Sequence, residues 1–431
     1  MRILVLGAYG FIGLDVARRL ARAGHEVIGL GRLAQTGQRL LPAITWIGAD
    51  LATLLTPSAW TPHLEGVEAV VNAAGALQDG GRDDVKATQQ QAIMALIAAC
   101  EAGASRCFVQ ISAPGAEVEA DTAFMRTKGV ADQRLRDSTL DWTILKPGLV
   151  IGANAYGGMA LLRMLAAMPL AEVLVLGDRT LQTVALSDVA DAVAMAIDGK
   201  LPQRATFDLV SPASHRLRDL VGRLRVWLGL PRPRFSIALP ERAGFALAKI
   251  ADLAGWFGWR SPLRTTALKV LAREISGDAQ PWVTATGRRL LTLDETLAAL
   301  PATRQERLFA RAQLSFPLLV VTLAAFWLLS GIIGLWRYRE AAALLPDWLS
   351  VPTTTSLVIA GSIVDLAIGL GLLLRRWLPA AALGSVAVSL SYLLAGTLLR
   401  PELWADPLGP LVKVLPAIAL ALAVLAFADE R

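Results

Sequence analysis

At 431 residues the chain is long enough for two or three domains. Its net charge of +6 would admit a nucleic-acid binder, but no Lys/Arg run interleaved with aromatics and no nucleic-acid module is present. The basic residues are better assigned to the flanks of apolar segments, where they face anionic lipid. Apolar residues make up 54% of the chain and are unevenly spread. Charged and apolar residues mix up to about residue 310, and beyond it the sequence is mostly apolar, so a soluble part precedes a membrane part. Cys100 and Cys107 lack metal-ligand spacing and read as buried thiols in a reducing compartment; no metal site is expected.

The first element is a short apolar strand, Ile3 to Leu6, running into Gly7, Gly10 and Gly13. "LDVARRLARAG" then has helical spacing, with Val16, Leu20 and Ala23 on one face, and "HEVIGLGR" is the next strand. Three glycines break the apolar run and no small-residue cleavage site is obvious, so the segment is not read as a signal peptide, and the soluble part is expected in the cytoplasm. Strand, glycine loop, helix and strand within about thirty residues point to a dinucleotide site. Gly7 allows the tight turn, Gly10 lets the backbone approach a pyrophosphate, and Gly13 brings the helix close to the sheet. Tyr9, Phe11 and Ile12, set between these glycines, belong to the same loop.

Further strands are expected at 44–50, 69–75, 107–112 and 142–148, with helices around 86–102 and 124–138. Alternation of this kind argues a doubly wound parallel sheet with helices on both faces, and ligands bind at the carboxyl ends of such strands. Asp50 would then sit near the adenine, Ala73, Ala74 and Gly75 near the ribose, and Ser112 near the nicotinamide, with Pro147 also at the cofactor site. The second strand ends in "GLGR" without the carboxylate that usually holds an NAD ribose. Arg32 could instead contact the 2′-phosphate of NADP(H), which is favoured over NAD(H). The alternative is an arginine that simply faces solvent.

"GAYGFIG", "GAD", "VNAAG", "QIS", the lysine at 128 and "WTILKPGLVIG" occur in order and resemble the signature positions of the extended and atypical short-chain dehydrogenase/reductases. The nearest flavour is the atypical branch that includes the 39-kDa subunit of respiratory complex I. The resemblance covers about residues 1–210; "VALSDVADAVAMAI" and "ATFDLVS" match later segments of the family. It implies an NAD(P)-binding Rossmann-like domain in which a tyrosine exchanges the substrate proton, a lysine lowers its pKa and holds the ribose, and a serine orients the substrate. Ser112 and Lys128 take two of these roles, while Phe124 stands at the tyrosine position. Tyr156, in "GANAYGG", is a possible substitute hydroxyl.

Residues 211–310 read as a helical and irregular cap that walls the substrate pocket. Trp256, Phe257 and Trp259 are either core or an interfacial belt. His25, His63 and His215 are scattered. A third region, 311–431, holds apolar stretches at 314–336, 356–374, 377–399 and 408–428, each long enough to span a bilayer. With Ser330-Gly331 and "VDLAIGLGLLL", this region is similar to the DoxX-like membrane family, whose relatives occur with quinone-linked sulfur oxidation. Asp365 and Lys413 are the ionisable groups in these stretches that ask for a reason: a quinone head group, a proton path, or a structural hydrogen bond or Asp–Lys pair between helices.

The expectation is therefore a multi-pass protein of the cytoplasmic membrane with both termini in the cytoplasm. Arg304, Arg307, Arg311, Arg375 and Arg376 would lie inside, and Arg337, Arg339 and Arg400 outside. Its substrate would be a hydrophobic molecule such as a quinone or isoprenoid. The rival reading is a nucleotide-binding sensor or accessory factor for a respiratory or quinone-biosynthesis membrane complex.

Overall fold

The computed structural model describes every residue except 81–82, 260, 262, 347 and 429–431. It divides into two compact units, Met1–Leu253 with Ser261–Arg307, and Ala254–Arg260 with Leu308–Arg431. The region 211–310 is divided between them. Most of it belongs to the first unit, where Trp282 packs edge-on against Phe207 at 5.8 Å between ring centroids.

The first unit is built on a seven-stranded sheet: β1 (Arg2–Leu6), β2 (Glu26–Gly31), β3 (Thr45–Gly48), β4 (Ala69–Asn72), β5 (Cys107–Ile111), β6 (Asp141–Pro147) and β7 (Ala205–Leu209). The strand order is β7-β6-β5-β4-β1-β2-β3, and every pairing is parallel. Side chains alternate across a strand, so Ile3 and Val5 enter one hydrophobic core while Leu4 and Leu6 enter another on the opposite face. Helices cover both faces. They include α1 (Phe11–Arg22), α2 (Ala92–Ala102), α3 (Ala123–Arg136) and α4 (Leu186–Ile197). The direction of strand order reverses between β1 and β4, which opens a crevice at the carboxyl ends of these two strands.

Two small sheets lie beyond what the hydrophobic pattern announces. One joins Leu149–Ile151, Thr180–Ala185 and Ser214–Arg216; the other pairs Ala171–Val175 with Phe235–Leu239. Two of these strands fall in the stretch read as helical and irregular. They are three and five residues long and mostly exposed, so no buried alternation marks them. The helix α5 (Glu241–Trp256) follows.

The second unit is helical. α6 (Arg304–Trp336), α7 (Val351–Leu373) and α8 (Leu378–Leu399) are long and apolar enough to cross a membrane. The fourth stretch departs from expectation: α9 covers only Val414–Ala428. Residues 406–413 form turns before it, with Gly409 at φ +56° directly ahead of Pro410. Proline disfavours helical backbone at the residue preceding it, which delays the helix. The start of the apolar part of α6 and the ends of α7 and α9 meet: Phe316 packs 6.4 Å from Phe427, and the Arg375 guanidinium donates to the Ala428 carbonyl at 2.7 Å.

Candidate functional site

The glycine loop connects β1 to α1 under tight steric limits. Gly7 has φ +67°, and a Cβ there would lie 2.9 Å from Ala74 Cα and 3.0 Å from the Ala73 carbonyl oxygen. A Cβ on Gly13 would come within 2.2 Å of the Gly7 carbonyl oxygen. Loop, helix start and the 73–75 segment after β4 are therefore in direct backbone contact, and only glycine allows it. Gly10 caps α1 with no side-chain hydrogen bond, and the first turn carries no acidic residue. The leading N–H groups of the helix are left available to an anion. Phe11 opens the helix and reaches toward Gly152, while Ile12 packs on the core beneath.

The walls are set by neighbouring strands. Tyr9 lies over Gly31, where a Cβ would meet its ring at 2.3 Å, and its ring centroid is 6.3 Å from that of Trp46. Arg32, one residue past β2, donates to Asp83 Oδ1 at 2.7 Å and is partly exposed. Burial works against its charge, but Asp83 outweighs this and raises the pKa above the ordinary arginine value. It is thus an ion-paired group rather than one that merely faces solvent. Asp50 uses its carboxylate to accept from Ala52 N at 3.1 Å.

At the end of β4, Asn72 donates to Gln110 Oε1 on β5 at 2.9 Å and accepts from Ala74 N at 3.1 Å, which fixes the Ala73–Ala74–Gly75 turn. Gln89, in the π-helical turn Ala87–Gln91 ahead of α2, donates to the Ala76 carbonyl at 2.9 Å. Its Oε1 is buried without a partner, 3.3 Å from where a Gly75 Cβ would stand. Asn72, Gln89 and Gln110 were not among the expected site residues.

α3 begins at Thr122, whose hydroxyl caps Met125 N, and brings Phe124 and Lys128 onto one face. Lys128 is buried. Its ammonium donates to the Ile111 carbonyl at 2.9 Å, lies 5.8 Å from the Phe124 ring centroid, and sits 3.8 Å from the Cβ position of Gly75. Burial lowers its pKa to about 8, against the opposing pull of Asp132. Lys128 and the 73–75 turn are thus brought together.

Ser112 is placed differently. It is buried and donates to Asp132 Oδ2, one helical turn beyond Lys128, so its proton is held by α3. The strand's alternation turns its side chain toward α3. Burial pushes the Asp132 carboxyl above the ordinary range, partly offset by the Ser112 hydrogen bond and the Lys128 charge. Asp132 also escaped the sequence reading, although its position four residues after Lys128 was a usable signal.

Pro147 is buried at the end of β6. Tyr156 is 44% exposed on the loop after Ile151, and among the described residues no hydrogen bond joins its hydroxyl to Lys128 or Ser112. That loop is held at its base by Arg163, which donates to the Gly152 and Ala153 carbonyls at 2.9 Å each.

In the helical unit, Asp365 on α7 is buried and accepts from Ser330 Oγ on α6 at 2.6 Å and from the Tyr392 hydroxyl on α8 at 3.0 Å. Lys413 lies exposed in the turn before α9. The Asp365 contacts are structural hydrogen bonds between helices, one of the two structural alternatives expected; among the described residues Asp365 does not pair with Lys413, which lies outside α9. No group of metal-ligating side chains occurs among the described residues.

The glycine cradle, the uncapped α1 terminus and Lys128 beside the 73–75 turn fit a dinucleotide, and they define a Rossmann-like NAD(P)-binding domain. Residues 7–199 match the NAD(P)H-binding family and residues 324–422 the DoxX-like family. The first unit thus carries an NAD(P)H-binding domain and the second a DoxX-like domain. The chain is 33% identical over 82 residues to a UDP-glucose 4-epimerase of Klebsiella pneumoniae, covering 17% of this chain and 59% of that one. It is 26% identical over 147 residues to the photosystem II assembly factor Ycf39 of Synechocystis, covering 34% and 44%. The chain therefore spans about half the length of these two relatives. Its fold resembles the Bordetella bronchiseptica enzyme WbmH in complex with NAD+, with TM-score 0.52 and 17% identity over 69% of this chain and 96% of that one.

Proposed function

We propose that this protein is a membrane-anchored oxidoreductase that uses NADP(H) and acts on a hydrophobic, membrane-resident acceptor such as a quinone. The observation that carries the reading is the split at α3: Lys128 keeps its place beside the 73–75 turn while Phe124 removes the ionisable hydroxyl. Loss of a positioned acid typically costs about 10²–10⁴ in rate for reactions that need it. Reduction of a quinone by hydride does not need a tyrosine proton: bound NADPH would supply the hydride, and the proton that completes the quinol would come from water.

The anchoring is to the cytoplasmic membrane, with the N- and C-termini in the cytoplasm. The test is NADPH consumption by the purified full chain in nanodiscs with a lipid-soluble quinone added. Quinone-dependent oxidation well above the protein-free rate is expected; NADPH binding without any quinone-dependent turnover overturns the enzymatic reading.

That second outcome would support the rival, a nucleotide-binding assembly or accessory factor for a respiratory or quinone-biosynthesis complex. Two observations favour the rival: the missing tyrosine and the Ser112 proton held by Asp132. Similarity to a protein named as an assembly factor points the same way.

A further inference from the structure

One face of α5 is committed to the protein. A Cβ on Gly244 would meet Val175 Cγ1 at 2.5 Å, and Phe245 and Ala248 pack with Leu176 and Leu268. The other face is apolar and open: Leu247 is 46% exposed, Ile250 66% and Leu253 61%. Steps of three residues keep these side chains on one side of the helix. Arg242 and Lys249 are exposed along the flank of this stripe. An apolar stripe edged by basic residues on a helix whose opposite side is already buried is the pattern of a helix that lies in a membrane interface. Long basic side chains there can reach phosphates while their stems cover the apolar edge.

The chain itself says what covers the stripe. α5 ends at Trp256, which is 67% exposed, and residues Ala254–Arg260 cluster with the helical unit. In that unit the Trp259 indole donates to the Leu373 carbonyl at the end of α7 at 2.7 Å, and its ring lies 6.0 Å from Phe316. Arg375 N donates to the Phe257 carbonyl at 3.1 Å, and the Arg375 guanidinium stands 5.7 Å from the Trp259 ring. Tryptophan and arginine at the point where apolar helices end mark the headgroup level of a bilayer. α5 is continuous with this point.

We propose that the open face of α5 lies in the headgroup region of an anionic phospholipid bilayer, with Leu247, Ile250 and Leu253 toward the acyl chains and Arg242 and Lys249 toward phosphate. The proposal rests on the reading that the helical unit spans a membrane.

The test uses the full chain in phosphatidylglycerol-containing nanodiscs, with an environment-sensitive fluorophore on Ile250→Cys or Leu253→Cys. Lys200→Cys serves as the aqueous control and Leu390→Cys, on an exposed position of α8, as the lipid control. Labels at 250 and 253 are expected to be quenched by shallow spin-labelled lipid at least about twofold more than the label at 200, and to be shielded from iodide. Iodide quenching at 250 and 253 equal to that at 200 overturns the proposal. Shielding from both quenchers also overturns it, because a protein or second copy would then cover the face. An unquenched label at 390 would instead sink the spanning reading on which the proposal stands.

Discussion

Replacing Arg32 by alanine tests the cofactor assignment at its sharpest point. The guanidinium stands one residue past β2 and already donates to Asp83 at 2.7 Å, with about a third of its side chain exposed. A charge-assisted hydrogen bond to a 2′-phosphate is worth about 1.5–3 kcal/mol when newly formed. Here the phosphate must share the guanidinium with Asp83, and solvent screens part of the gain, so the lower end applies. About 1.4 kcal/mol corresponds to a tenfold change in affinity. Fluorescence titration of Arg32→Ala with NADPH and NADH, at one fixed ionic strength, should show NADPH weakened about tenfold and NADH nearly unchanged. Asp83→Asn should move NADPH affinity the other way, since it removes the competing carboxylate. Equal losses for both cofactors would refute the reasoning and leave Arg32 a supporting residue of the fold.

Gly13→Ala places a methyl 2.2 Å from the Gly7 carbonyl oxygen, so the loop must shift; overpacking of this kind costs about 1–3 kcal/mol, and both melting temperature and NADPH affinity should fall. An unchanged titration curve would show that the loop does not hold the pyrophosphate. Lys128, with its pKa lowered to about 8, carries a charge in folded and unfolded chain alike below that pH. Between about 8 and its ordinary value only the unfolded chain holds the proton, so this group's contribution to stability rises with pH across that window and is lost as pH falls through about 8. Cofactor affinity should run the opposite way, weakening as the ammonium donor disappears above about pH 8, an inflection that Lys128→Met should lack. Phe124→Tyr restores a hydroxyl on the face of Lys128 and should awaken weak carbonyl reduction in an NADPH assay. Wild-type oxidation of simple secondary alcohols at rates matching the variant would contradict this view of α3.

What could be read from the sequence were the features with local period. The alternation Ile3, Val5 against Leu4, Leu6, the glycine spacing and the two-regime apolar content each follow from nearest-neighbour geometry. The polar contacts that shape the site were not legible, because they join residues far apart in sequence. Asn72 meets Gln110 across a parallel strand pair, and Ser112 meets Asp132 from strand to helix. Asp365 finds its partners on two other helices. Ser112 also shows how one register step matters: a serine at the end of a strand faces the cofactor or the interior according to parity, and parity could not be fixed without the sheet. The late start of α9 was signalled by Gly409-Pro410, a pair that outweighed the apolar run around it.

The shortness of α9 has a mechanical consequence. Fifteen residues rise about 22 Å, whereas a hydrocarbon core is about 30 Å thick. The apolar stretch of α6, residues 314–336, rises about 34 Å, close to that thickness. In a bilayer, such a body is asymmetric around its rim, with hydrophobic mismatch on the α9 side and a matched length on the α6 side. Each ångström of mismatch costs a fraction of a kcal/mol, relieved by thinning of the lipid or by tilt. Leu408 and Val412, exposed just before α9, extend the apolar surface only partway. Lipids beside α9 would therefore be drawn thin, and the protein would partition toward the thinner patches of its membrane.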